Sequence, residues 1–167
     1  MTESQVSQLL AEAFRNVPHP SKDEIVSHAC DECFRVRDDF APHTSLTVPG
    51  EVLEYHYDSL PLFTSEAFRY FIPGYISHVL SHPESQLAVW VIERLQDLAT
   101  QDSFWSARAT LFSEGEREAI REFLRFVYNA PPFAPHIADI YDALVLWGEH
   151  TNLPLNPDAP KSGAPVS

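Results

Sequence analysis

Glycine is scarce in this sequence, and no two glycines lie close together. The chain contains five of them, namely Gly50, Gly74, Gly115, Gly148 and Gly163. Because a phosphate-binding loop needs closely spaced glycines to let the backbone approach the phosphate, this distribution excludes nucleotide-binding loops of that kind. No serine stands in the Gly-x-Ser-x-Gly pattern of a nucleophile elbow either. The sequence offers no recognised catalytic constellation, which favours a non-enzymatic protein over an enzyme.

Basic residues are also few. Eleven lysines and arginines face twenty-four aspartates and glutamates, which gives a net charge of −13. A field of this sign repels nucleic-acid phosphates and anionic lipid, and it attracts basic proteins. We therefore expect no nucleic-acid partner and no membrane partner, and we expect that any protein partner is basic.

Long apolar runs are absent as well, and cysteines are few. The most apolar stretch, residues 87–95, contains Glu93 and Arg94 and is too short to span a bilayer. Residues 1–5 show neither the basic nor the apolar segment of a signal peptide. Two cysteines do not make a disulfide framework, so a reducing, cytoplasmic location is expected. The 44% of hydrophobic residues provide ample material for a core.

Apolar residues recur at helical spacing through most of the chain, and no stretch shows the alternation of a β-strand between hairpin turns. The prediction is an all-α fold with six or seven helices in one compact domain, residues 1–152. From residue 153 the composition changes, with four prolines in the last fifteen residues. Residues 153–167 are therefore predicted to be a flexible tail.

Two capping boxes of the form Ser-x-x-Glu, at residues 21–24 and 113–116, predict helix starts. The first of these helices is expected to cover residues 22–40, since Pro42 disfavours helical geometry at the residue before it. The pair Pro73-Gly74 interrupts another helical stripe and should kink or split that helix, because proline removes a backbone hydrogen bond.

The two cysteines lie three residues apart, in the run HACDEC at residues 28–33. In a helix over residues 22–40, Cys30 and Cys33 both fall on the apolar stripe, which predicts that they are small buried hydrophobic residues. A redox role is disfavoured, because a reactive thiolate is usually found at a helix N-terminus near positive charge. Cys30 would instead lie inside the helix beside Asp31 and Glu32, and no βαβ pattern accompanies the pair.

Metal binding is the alternative for the pair. Cys30 and Cys33, together with His28 or a more distant histidine, offer thiolate and imidazole ligands for zinc or iron. Against this, the chain has a single cysteine pair, and on a helix His28 and Cys30 diverge by about 200°. We therefore predict no cofactor, with zinc or iron as the alternative. Other histidines that a helix places near potential ligands are His78 with His82, and His28 between Glu24 and Glu32.

Three blocks of the sequence resemble a family of small, uncharacterised bacterial proteins known only as a domain of unknown function. The blocks are HACDEC at residues 28–33, LPLFTSEAFRYFIP at residues 60–73 and SEGEREAIREFLRF at residues 113–126. The second block is the most distinctive, because its proline stands where a helix should continue. The resemblance covers residues 10 to 128 and implies a bacterial, cytoplasmic protein. It implies no activity, ligand or catalytic residue.

These features favour a non-enzymatic protein-binding module, for instance an immunity-like or adaptor protein whose acidic surface binds a basic partner. Tyr70 and Tyr75 fall off the apolar stripe of their helix and are candidates for an exposed patch in such an interface. The alternative function is a small metal-binding protein that uses Cys30 and Cys33 with a histidine.

Overall fold

In the computed structural model, which describes residues 1–100 and 103–148, regular structure is almost entirely helical. The described residues form eight α-helices: α1 (Glu3–Phe14), α2 (Asp31–Phe40), α3 (Gly50–Tyr55), α4 (Ser65–Ser81), α5 (Leu87–Ala99), α6 (Ser103–Ala109), α7 (Glu114–Tyr128) and α8 (Ile137–Leu146). Short 3-10 helices cover Lys22–Glu24, Leu60–Leu62 and Pro131–His136. The predicted all-α class is confirmed. The predicted tail at residues 153–167 lies outside the described residues.

The helices enclose one hydrophobic core, so the chain is a single compact helical domain. Helix α1 packs on α7 and α4, while α5 packs on α8, α6 and α4. A cluster of fully buried rings fixes α2 against α4 and the segment before it. Phe40 of α2 lies edge-on to Phe63, with ring centroids 5.0 Å apart, and edge-on to Phe71 of α4 at 5.1 Å. The end of α2 is therefore anchored by aromatic packing.

The prediction of one helix over residues 22–40 is wrong. The capping box at Ser21 and Glu24 is present, but the helix that it begins is only a single 3-10 turn. The chain then extends at Val26, which forms an isolated antiparallel bridge with Phe63. The Ser27 N–H donates to the Leu62 carbonyl at 3.0 Å, and the Thr64 N–H donates to the Ile25 carbonyl at 3.0 Å. These long-range bonds use backbone groups that a helix would have paired internally, so the helix begins only at residue 31.

Helix α4 is unbroken from Ser65 to Ser81, so Pro73-Gly74 does not split it. Both residues are buried, together with eight other residues of the same helix. Burial on this scale offsets the missing hydrogen bond of Pro73, since each large apolar side chain removed from water contributes about 1.5–3 kcal/mol. Tyr75 follows them and is fully buried, with its hydroxyl donating to the His56 carbonyl at 3.1 Å. The expectation that Tyr75 is exposed is therefore wrong, and Tyr70 is only half-buried.

The capping box at residues 113–116 is confirmed at the start of α7. The Glu116 N–H donates to the Ser113 hydroxyl at 3.3 Å, and the Ser113 N–H donates to the Glu116 carboxylate at 3.1 Å. The same carboxylate accepts two hydrogen bonds from Arg69 of α4, at 2.8 and 2.6 Å. One buried side chain thus caps α7 and ties it to α4. In the part of the chain that the structure describes, no helix combines the length and apolarity needed to cross a membrane.

Candidate functional site

The cysteine pair lies at the first turn of α2. Cys30 is the N-cap residue, with extended backbone angles (φ −139°, ψ 164°), and its sulfur accepts a hydrogen bond from the Cys33 N–H at 3.4 Å. Cys30 is exposed and Cys33 is fully buried, and both are free thiols. The prediction that Cys30 is buried inside the helix is therefore wrong, because the helix starts one residue after it. The predicted burial of Cys33 is confirmed.

The surroundings of the two thiols shift their pKa values in opposite directions. The pKa of Cys30 is lowered, chiefly by a hydrogen bond from the Cys33 thiol and then by the backbone N–H groups of Cys33 and Glu32. The negative charge of the Glu32 side chain acts against this but is a smaller influence. Burial, followed by the hydrogen bond to Cys30, raises the pKa of Cys33 to about 11. The exposed sulfur is thus the one that ionises first.

The position of Cys30 explains why its sulfur favours the ionised form. The first N–H groups of an α-helix have no partner inside the helix, and they carry the positive end of the helix dipole. An N-cap side chain is directed at these groups, and a thiolate accepts their hydrogen bonds better than a thiol does. A helix start of this kind is where low-pKa cysteines are commonly found.

His28 contacts the pair through its backbone. The backbone N–H of His28 lowers the pKa of Cys33, because it favours the thiolate, and so it acts against the larger effect of burial. The His28 ring is exposed and hydrogen-bonds the Ser27 hydroxyl at 3.3 Å. Glu24 and His28 both precede α2, so the predicted helical stack of Glu24, His28 and Glu32 is wrong.

No three histidine, cysteine, aspartate or glutamate side chains among the described residues are grouped so as to hold a metal ion. A zinc or iron site formed by Cys30, Cys33 and His28 stays a prediction. His78 and His82 do come together at the end of α4, with their rings stacked 4.3 Å apart. His78 also hydrogen-bonds Glu54 of α3 at 2.8 Å, which ties α3 to α4.

A second cluster contains the residue types of a hydrolase triad. His56 bonds Asp39 at 2.8 Å through Nε2, and its Nδ1 lies 3.4 Å from the hydroxyl of Ser59. Ser59 is only 2% exposed, so a substrate has no access to its oxygen. The distance from this oxygen to the imidazole is also long for proton transfer. This cluster joins the end of α2 to the segment that follows α3, and its role is structural.

No protein-family model matches the chain, and no curated protein or solved structure matches it either. The resemblance to a bacterial family of unknown function therefore stays a prediction. The feature of the described residues that points most clearly to a function is the pair of thiols at the start of α2.

Proposed function

We propose that this protein carries out thiol–disulfide exchange, with Cys30 as the attacking thiol and Cys33 as the resolving thiol. One observation carries the proposal: an exposed cysteine caps an α-helix, and a buried cysteine three residues later donates its backbone N–H to the sulfur of the first. A cysteine inside a helix beside Asp31 and Glu32 would be a poor nucleophile, but Cys30 is the N-cap residue of α2, where a thiolate is favoured.

The reaction runs in two exchange steps. The Cys30 thiolate attacks one sulfur of a substrate disulfide, forming a mixed disulfide and releasing the first substrate sulfur as a thiolate. Cys33 then gives its proton to the first released thiolate and attacks the Cys30 sulfur, which closes the Cys30–Cys33 disulfide and breaks the mixed disulfide. The second substrate sulfur leaves as a thiolate and takes from solvent the proton that Cys30 lost when it ionised. Two protein thiols are oxidised and one substrate disulfide is reduced to two thiols. A low-molecular-weight thiol returns the protein to its reduced form by the reverse steps.

The difference in burial between the two sulfurs supports these roles. A substrate disulfide can approach Cys30 from solvent, whereas it cannot reach Cys33, which is fully buried. Cys33 can react only with a sulfur already attached at Cys30, and the two residues are close, since the Cys33 N–H bonds the Cys30 sulfur at 3.4 Å. Holding the second thiol next to the mixed disulfide makes the second step intramolecular, and this raises its rate by proximity.

A second candidate function is protein binding without chemistry, as the charge of the chain suggests. Its support is a pair of exposed aromatic side chains beside α2: Phe34 is 40% exposed and Tyr55 is 60% exposed. Tyr55 is held against α2 by a hydrogen bond from Arg35 at 2.7 Å. Exposed aromatic residues of this kind are enriched in protein interfaces. Phe34 lies one turn of α2 from Cys30, so a partner that contacts Phe34 lies near Cys30 and the two proposals are compatible.

The first test is alkylation of the reduced protein by iodoacetamide across a range of pH. Since only the thiolate reacts and the pKa of Cys30 is lowered, one thiol should react fast at a pH below the ordinary cysteine pKa of about 8.5. Cys30→Ala should remove this fast reaction. Cys33→Ala should keep it but move its midpoint to higher pH, because the Cys33 thiol is the main cause of the lowered pKa.

The same protein unfolded in denaturant is the control, since both thiols should then behave as ordinary cysteines. The proposal would be contradicted if the folded protein showed no thiol that ionises below the ordinary range, or if Cys33 were the faster one. Purified reduced protein that retained about one equivalent of zinc or iron, lost in Cys30→Ala, would support the metal site instead.

A further inference from the structure

The charges around Cys30 bear on the kind of substrate that reaches it. Asp31 and Glu32 follow Cys30 directly in the first turn of α2, and both are exposed. The 3-10 turn that packs against α2 adds Asp23 and Glu24, which are also exposed. In all, residues 22–39 carry six carboxylates against three lysine or arginine side chains. A disulfide approaching Cys30 therefore meets a negative surface.

The basic side chains of this segment are bonded to groups other than the two carboxylates that follow Cys30. Lys22 and Arg37 both bond the Asp38 carboxylate, at 3.0 and 2.9 Å. Arg35 is bonded to the Tyr55 hydroxyl. None of these three contacts involves Asp31 or Glu32, so the two carboxylates beside Cys30 keep their charge available to a partner.

An exposed apolar side chain, Phe34, lies one helical turn from Cys30. The Phe34 N–H bonds the Cys30 carbonyl at 2.9 Å, which places Phe34 one turn along α2. Its ring is partly covered by the Arg37 guanidinium, 4.8 Å from the ring centroid, yet 40% of the residue is exposed. A small disulfide that reacts at Cys30 would leave this ring in water. A polypeptide joined to Cys30 can extend an apolar side chain over it.

We infer that the substrate of the Cys30–Cys33 pair is a cationic polypeptide, with basic residues beside its reactive cysteine and an apolar residue next to it. This inference rests on the proposed thiol–disulfide exchange and names the partner of that same site. The net charge of −13 acts in the same direction as the local carboxylates, since it draws cationic molecules to the surface and slows anionic ones. Anionic disulfides such as glutathione disulfide are disfavoured for the same reason.

The test uses short synthetic peptides of equal length that contain one cysteine, flanked by lysine, serine or glutamate and activated as its 2-pyridyl disulfide. The release of 2-thiopyridone measures the rate of attack by reduced protein. We expect the lysine peptide to react about tenfold faster than the glutamate peptide at low salt, with the serine peptide between them. At high salt the ratio should fall towards one, because exposed charges are screened.

Variants separate the local charge from the total charge. The double variant Asp31→Asn/Glu32→Gln should reduce the ratio of the lysine to the glutamate peptide severalfold. The matched control Glu3→Gln/Glu84→Gln removes the same number of exposed charges from other parts of the chain and should change the ratio little. Phe34→Ala should slow peptides with leucine beside cysteine severalfold more than it slows cystamine, a small cationic disulfide.

Three contradicting outcomes can be distinguished. If all three peptides react fast but at equal rates, or if the glutamate peptide is fastest, the inference about the substrate is wrong and thiol–disulfide exchange stands. If Phe34→Ala slows cystamine as much as the peptides, the polypeptide part of the inference is wrong. If no peptide reacts faster with the folded protein than with the unfolded protein, the proposed function itself fails.

Discussion

Gly74→Ala is expected to lower the free energy of unfolding by about 2 kcal/mol or more, because the new methyl group would overpack a closed site. Gly74 is buried in α4. A Cβ at this position would lie 2.0 Å from the Ser45 carbonyl oxygen, in the segment that joins α2 to α3. That oxygen belongs to the backbone, so the whole segment must shift. Alanine's better helix propensity, about 1 kcal/mol, offsets only part of this cost.

Gly115→Ala provides the matched control. Gly115 also lies in a helix, near the start of α7, but a Cβ there would meet nothing within 4 Å. This variant should be neutral or more stable by up to about 1 kcal/mol, since alanine reduces the conformational entropy of the unfolded chain. Urea unfolding of both variants gives the comparison. Equal stability of the two would contradict the close packing of residues 41–49 on α4.

Cys33→Ala is expected to prolong the lifetime of a mixed disulfide at Cys30 by at least about a hundredfold, since the intramolecular step that resolves it is lost. After reaction with a small disulfide, the wild-type protein should release both halves of the reagent. The variant should retain one half covalently attached to Cys30. Mass spectrometry of acid-quenched samples over time follows both species and measures the two lifetimes.

Cys30→Ala is the control for this experiment. It should form little mixed disulfide while folded, because the remaining thiol is buried and its pKa is raised. Cys33→Ala removes a small buried side chain, so it should cost only about 1 kcal/mol and leave the protein folded, which a thermal melt checks. Mixed disulfides that decay at the same rate in the wild type and in Cys33→Ala would contradict the resolving role.

Hydrophobic periodicity was sufficient to predict the all-α class, and one capping box predicted the start of a helix. The clearest case is α7, where the capping box at Ser113 and Glu116 begins an amphipathic helix as predicted. The predicted split at Pro73-Gly74 is not found, because the burial of α4 outweighs the local cost of a proline inside a helix. Local signals set helix boundaries only where long-range packing agrees with them.

Near the cysteine pair, too, a local signal failed where long-range pairing opposed it. The box at Ser21 and Glu24 is as regular as the one at Ser113, yet the pairing of residues 25–27 with residues 62–64 ends the turn at once. A single sequence cannot reveal that pairing, because its partners are distant along the chain. One local signal did mark the true start of α2: Asp31 and Glu32 are acidic residues of a first helical turn. They served as an argument against a reactive Cys30, although they also indicate that Cys30 precedes a helix.

The redox role of the cysteine pair is tested by the thiol–disulfide equilibrium of the wild-type protein in glutathione redox buffers. In the proposed function, Cys30 and Cys33 interconvert reversibly between two thiols and one intramolecular disulfide. We expect a product 2 Da lighter than the reduced protein, absent from either single-cysteine variant. We also expect a reduction potential between about −270 and −120 mV, the range of proteins that exchange disulfides. If no intramolecular disulfide forms, or if its potential lies below about −300 mV as in structural disulfides, the proposed function is wrong.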